Sequence, residues 1–520
     1  MHNQLTLGES LIEKVCPSCS VSAYKWDDLS ASCWKIPKPM HKNLISISSI
    51  TKRTFTHTGF PEEKRVYSDY LYMKQWFRLS LLVVIVLATS FSLSSQQALP
   101  GDVSVYKIPD ASAIRTELWK NIISNDLVTA KSQKSSIRTN SWGRWKIDYV
   151  IEDNNLYTVV SPERNGGYAL YTQGTWIFKR SLKDGSFAQI KIFLMSNQES
   201  FMRIYPFGER TRADIVIYGA VVYHSITIPL SFENLATADM QTIVRSTKDL
   251  IDWNLFAPEP VLYANAERLV QGIREKLPAL AFADDGAIDA DGRARFIATL
   301  KEQPQPDGLN CSGFVKWITD GMLYPYTGSY LAIAEIKERM VDFRGSSFTK
   351  PFEEQYDPYF GIDWIRALSR SAWNVINNTS RSDPLLHDVD EPTFSLMTNG
   401  NNPINGGIQY RYATVNFQDV GFEIQALWPM LYLLAVREPG NMYFAALSAR
   451  SKEPPHLRRF FHTAALIPYI GGDGIFRVVV FESAAETSLA RITQSRLYDF
   501  VKLVRMPITL RFEPPSLPKQ

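Results

Sequence analysis

The chain has 520 residues, 45% of them hydrophobic and 21% charged, with a formal net charge of +3. That describes an ordinary folded protein, long enough for two or three domains with real cores. It carries no basic excess that would call for a nucleic-acid partner, so none is expected.

The first distinctive stretch is MKQWFRLSLLVVIVLATSFSLSSQQAL, residues 73–99. Met73, the basic Lys74 and Arg78, an apolar run from Leu79 to Ala88 and small residues at Ser92–Ser95 have the layout of a secretory signal peptide, assigned to 73–95. Its apolar core is short for a membrane span. The expected start is therefore Met73, with residues 1–72 an extension from a start codon placed too far upstream; an internal signal anchor is the rival reading. Export implies the periplasm or cell envelope. Cys16, Cys19, Cys33 and His41 can be drawn as a zinc knuckle, but their spacing fits no strong ligand pattern, and no metal or other cofactor is expected. Cys311 is then the one cysteine of the exported part, either a reactive thiol without a disulfide partner or a small buried hydrophobe.

Residues 96–142 read as a linker with a short helix over 111–125. From 143 to 235 strand signals dominate: LYTVVS (156–161), TWIFKRS (175–181), FAQIKIFLMS (187–196), FMRIYPF (201–207) and the run at 213–232. Turn residues separate them, which predicts an antiparallel β-domain. Its Trp and Tyr residues suit either a core or a glycan-binding face. His224 is expected to be structural. Helical periodicity begins near 236. The acidic ADDGAIDADGRARF (283–296) fails as an EF-hand because Ala287 and Ala298 fall at ligand positions, and it is expected to be a solvated loop near the site entrance.

PDGLNCSGFVKWITDGM (306–322) joins a turn to a helix whose apolar residues share one face, ending at Gly321 or at Tyr324-Pro325. Cys311 opens that helix, where the dipole and free amides favour a thiolate. A thiolate nucleophile needs a base, and the exported chain offers His224, His387, His456 and His462. His387 reads as surface loop and His456 as a Pro-rich loop. FFHTAALIPYI (460–470), GGDG (471–474) and IFRVVVFESA (475–484) read as a hairpin whose opposed residue numbers sum to about 945. His462 is thereby expected across from Glu482, with Ser483 the substitute if Pro468 shifts the register.

Cys311-Ser312-Gly313-Phe314-Val315 resembles the D-C-S-G-[LF]-[VT] nucleophile motif of the NlpC/P60 cysteine peptidases. Pro439-Gly440-Asn441-Met442-Tyr443-Phe444 and the His462–Gly474 hairpin are similar to two further motifs of that family, in its chain order. The resemblance implies an α+β chain in which the antiparallel β-domain (143–235) precedes a papain-like domain (236–510). Cys311 would be nucleophile, His462 base and Glu482 the third polar residue. It also implies peptidoglycan or its peptides as partner and a hydrolase as the activity. The departures are Asn310 and Asn441 where the family has Asp, Glu482 at the third position, and 151 residues between Cys311 and His462 (462 minus 311). An insertion at about 325–425, with a helix at 363–376 and a strand at 408–417, is expected to fill that gap as a lid or substrate wall. The competing reading is a catalytically inactive envelope protein that uses both domains to bind glycan or peptide.

Overall fold

The computed structural model describes residues 101–516, apart from short stretches at 341–344, 346, 348, 380–382, 391–394, 398–409, 413–419, 453, 455 and 497–498. The signal-peptide segment and the Cys16, Cys19, Cys33 and His41 group lie outside the described residues.

Eight strands follow one another as an antiparallel meander: β1 (Ser136–Asn140), β2 (Gly143–Glu152), β3 (Asn155–Pro162), β4 (Trp176–Ser181), β5 (Phe187–Phe193), β6 (Phe201–Phe207), β7 (Arg210–Ile217) and β8 (Ala220–Ile228). The run at 213–232 is thus two strands, folded at Tyr218 and Gly219, both with positive φ (45° and 80°). One face of the sheet sends Trp145, Trp176, Phe178 and Ile190 into the main core, and the other holds a smaller cluster around Tyr157, Phe193 and Phe201. Trp145, Trp176 and Tyr157 are essentially inaccessible to solvent, so they act as core residues.

The segment expected to be a linker is packed from Val105 onward. Helix α1 (Ser112–Leu118) and the turn after it bury Ile114, Leu118, Trp119 and Ile123. Arg115, fully buried, donates to the carbonyls of Ala236 (3.2 Å) and Ala238 (2.5 Å), pairs with Asp110 at 3.4 Å and lies 3.6 Å from the Trp176 ring centroid. Asp110 accepts from the Met240 amide (3.1 Å), which opens α2 (Met240–Thr247). The chain before the sheet is thereby tied to the chain after it.

Helix α3 (Ala264–Lys276), the two-stranded ribbon β9 (Gly286–Ile288) and β10 (Ala294–Phe296), and helix α4 (Cys311–Thr327) come next. Helix α5 (Phe360–Asn377) is followed by β11 (Ser395–Met397) and β12 (Tyr410–Tyr412), and these two strands extend the first sheet beyond β8. A second sheet has the order β13 (Phe422–Glu423), β18 (Phe500–Pro507), β14 (Asn441–Arg450), β15 (Arg458–Ile470), β16 (Phe476–Glu482) and β17 (Ala485–Ser488). Helix α6 (Leu427–Arg437) precedes β14, and α7 (Leu489–Ser495) lies between β17 and β18. Every pairing in both sheets is antiparallel, and the chain is α+β.

Helix α4 continues past both expected ends to Thr327, where Gly328 closes it in the left-handed conformation (φ 66°). Pro325 lacks the amide that would bond Gly321, and that carbonyl instead accepts from the Glu513 amide at 2.7 Å. The C-terminal tail completes the helix that the proline leaves unfinished.

Candidate functional site

Asn310 caps α4, its side chain accepting from the Gly313 amide at 2.8 Å, while its own amide donates to the Gly286 carbonyl at 3.0 Å. An added Cβ at Gly313 would stand 1.9 Å from that same Gly286 oxygen, so glycine is required there for β9 and α4 to touch. From α5, the Trp364 indole donates to the Ser312 carbonyl at 2.9 Å. Cys311 therefore starts a helix pinned on several sides, and the residue is 6% exposed.

Two expectations change here. The acidic 283–296 segment is a ribbon packed against α4, with β9 buried and three of its four carboxylates engaged. Asp285 accepts from the Ala298 amide (3.0 Å), Asp289 accepts from the Ile333 amide (2.9 Å) and pairs with Arg295 (3.1 Å), and Asp291 also pairs with Arg295 (2.7 Å). The expected 363–376 helix exists as α5, but its middle is buried against α4 and strands β14, β15 and β18, so it supports the site from within. The expected 408–417 strand is β12 at Tyr410–Tyr412, with 413–417 outside the described residues.

His462 lies on β15, whose pairing with β14 runs Leu447↔His462 and then Ser448↔Phe460. Phe461 is the extra residue of that bulge. The β15–β16 pairs sum to 946, one more than expected, and end at Ala465↔Phe481. Glu482 therefore meets His462 on the diagonal, and its Oε2 lies 2.5 Å from His462 Nε2. Ser483 and Ala484, both with positive φ (49° and 59°), form the tight turn to β17 directly after Glu482. Ser483 is a turn residue and Glu482 holds the imidazole.

With Nε2 given to Glu482, Nδ1 is the nitrogen left to face Cys311. Burial by itself pushes the Cys311 thiol up, but the hydrogen bond and positive charge of His462, with the Thr463 amide, bring it down to about 7. Burial disfavours imidazolium at His462, yet its bonds to Cys311 and Glu482 raise it to about 9. Glu482 is pushed up by burial and held below the usual carboxylate range by His462, Arg496 and Arg491. The two shifts run in the directions that favour a thiolate beside an imidazolium over the neutral pair. The Cys311 and Ser312 amides at the helix start receive no acceptor among the described residues.

The other histidines stand apart. His224 bonds Asp214 at 3.0 Å. His387, expected on the surface, is buried and stacked on Trp373 with ring centroids 4.7 Å apart, and His456 is an exposed loop residue. Among the described residues, no group of three or more His, Cys, Asp or Glu side chains is arranged to hold a metal ion. Among the described residues, no helix is long and apolar enough to cross a membrane.

Residues 104–255 match a family model described as a domain of unknown function (DUF8515). It spans the first eight strands together with the segments that the Asp110–Arg115 contacts join, 104–118 and 236–240. The match covers under half of the chain and ends well before Cys311. No curated protein and no solved structure matches the chain.

Proposed function

We propose that this protein is an exported cysteine peptidase or amidase that hydrolyses amide bonds of peptidoglycan peptides. The observation that carries the reading is the Cys311–His462–Glu482 arrangement: a thiol lowered to about 7 beside an imidazole raised to about 9 and held by a carboxylate at 2.5 Å. A buried structural cysteine has no use for that environment, whereas a nucleophile requires it. The substrate class comes from the motif resemblance to the NlpC/P60 peptidases and their papain-like fold, together with the signal-peptide pattern at 73–95.

In this mechanism the Cys311 thiolate attacks the scissile carbonyl and forms a tetrahedral intermediate. The free Cys311 and Ser312 amides receive the oxyanion. His462 gives its Nδ1 proton to the leaving amine, and the C–N bond breaks to leave a thioester on Cys311. Water, deprotonated by His462, then releases the acid and restores the thiol. Glu482 keeps the imidazole oriented and stabilises its charge throughout.

The test is incubation of the protein with purified cell walls beside Cys311→Ala, followed by identification of the released fragments. A defined cleavage present in the wild type and absent from the variant supports the reading; the same fragments from both would sink it.

A further inference from the structure

The bulge on β15 has a consequence for substrate choice. In a regular strand Phe461 and His462 would point to opposite faces, but the bulge re-aims one of them. The Phe461 ring lies roughly parallel to the His462 imidazole with centroids 6.2 Å apart, and Phe461 stays 46% exposed. The Arg496 guanidinium lies 5.2 Å from the centroid of that ring. Arg491 is exposed in the first turn of α7, where Ser488 accepts from its amide at 3.1 Å. The β16–β17 turn puts that helix beside Glu482. Both arginines act on Glu482, and Arg496 also on Asp499, but neither forms an ion pair among the described residues. Glu482 itself is already taken by His462.

Direction follows from the chemistry. The leaving amine must come within hydrogen-bond reach of His462, so the fragment that departs extends over the His462 side of Cys311. Phe461 and Arg496 border that side, and the Arg491 charge acts there through Glu482. Given the hydrolytic reading above, on which this rests, we infer that these three residues form a leaving-group subsite that selects fragments carrying a free carboxylate close to the scissile amide. Phe461 supplies the apolar floor and the guanidinium groups receive the anion.

Two alkylating reagents test this without knowing the bond. Iodoacetate carries a carboxylate and iodoacetamide does not, and both draw on the same Cys311 thiolate, so their rate ratio reports the field at the subsite. The full chain is treated with each at low salt and the Cys311 peptide is quantified by mass spectrometry. Screened charges at this range predict a fall in the iodoacetate-to-iodoacetamide ratio of about threefold in Arg491→Gln or Arg496→Gln and about tenfold in the double variant. The wild-type ratio also falls toward the variant value at high salt. An unchanged ratio in the double variant, with Cys311 still reacting, overturns the subsite and leaves the nucleophile standing. A Cys311 that neither reagent alkylates overturns the nucleophile and the subsite together.

Discussion

Replacing Glu482 by Gln tests the electrostatic core of the site with little change of shape, since the amide oxygen can still accept from His462 Nε2. What is lost is the carboxylate charge. The bond is short, at 2.5 Å, and the Glu482 side chain is 21% exposed, so solvent screens the pair only in part. A hydrogen bond to a charged group contributes about 1.5–3 kcal/mol and a neutral one about 1 kcal/mol. The difference, about 1.4 kcal/mol, is one pK unit. His462 should then fall by about one unit from its value of about 9, leaving imidazolium less favoured. Cys311, whose depression to about 7 depends on that charge, should rise. The signs are opposite for the two groups. Imidazolium exists below the His462 value and is lost as pH rises through it, while thiolate exists above the Cys311 value and is lost as pH falls through it. The thiolate–imidazolium window therefore narrows from both ends. The assay is the rate of iodoacetamide addition to Cys311 from about pH 5.5 to about pH 10, fitted for apparent midpoints that belong to the pair. Wild type should show its first rise near 7 and Glu482→Gln a higher one, with kcat/KM on cell-wall peptides down about 10- to 100-fold. Identical midpoints in a folded variant would refute the role given to Glu482.

Gly313→Ala places a Cβ 1.9 Å from the Gly286 oxygen and 2.9 Å from the Ala287 Cα, both backbone; thermal melting should show a loss of about 1–3 kcal/mol or more, accompanied by loss of Cys311 reactivity. Asn310→Asp keeps the helix cap but sets a negative charge beside Cys311; stability should change by less than about 1 kcal/mol while the midpoint for alkylation moves up. Arg115→Met strands Asp110 and leaves the Ala236 and Ala238 carbonyls without their donor; urea unfolding should report a loss of about 3–5 kcal/mol.

The site was legible where local chemistry sufficed. Gly471-Gly472-Asp473-Gly474 between two β-branched and aromatic runs marks a hairpin, and hairpin arithmetic alone brings Glu482 near His462. The one-residue error in register did not matter, because pairing stops at Ala465↔Phe481 and Glu482 reaches across the open end. The Phe461 bulge was not legible, since it is a property of β15 paired with β14 and leaves no mark on either strand alone. The same holds for the acidic ribbon and for α5: the sequence suggested a solvated loop and a lid, while Asp289 and Trp364 are spent on contacts with distant segments and Arg295 on the ribbon's own carboxylates. Strand β1 escaped notice because SIRTN is polar and mostly exposed, as suits the edge of a sheet. Tyr218 escaped because an aromatic residue rarely adopts positive φ and so disguised the turn between β7 and β8.

Tyr218 also bears on what the first sheet does. Its ring packs 5.7 Å from Trp428, 5.4 Å from Tyr432 and 5.5 Å from Phe476, and Phe476 is the first residue of the strand that ends in Glu482. The Asp102 carboxylate accepts from the Ser196 amide at 2.7 Å, and the Gly101 and Gly474 backbones are too close to Asp473 and Asp102 to admit a side chain. The tip of the β15–β16 hairpin is thus clamped by the sheet and by the chain leading into it. Trp145, Trp176 and Tyr157 lie in cores, while Trp142 and Tyr171 keep their rings exposed. Holding the hairpin steady is the role these contacts support, because a small shift of β15 against β16 would pull His462 from Glu482 and end the charge pairing on which the Cys311 thiolate depends.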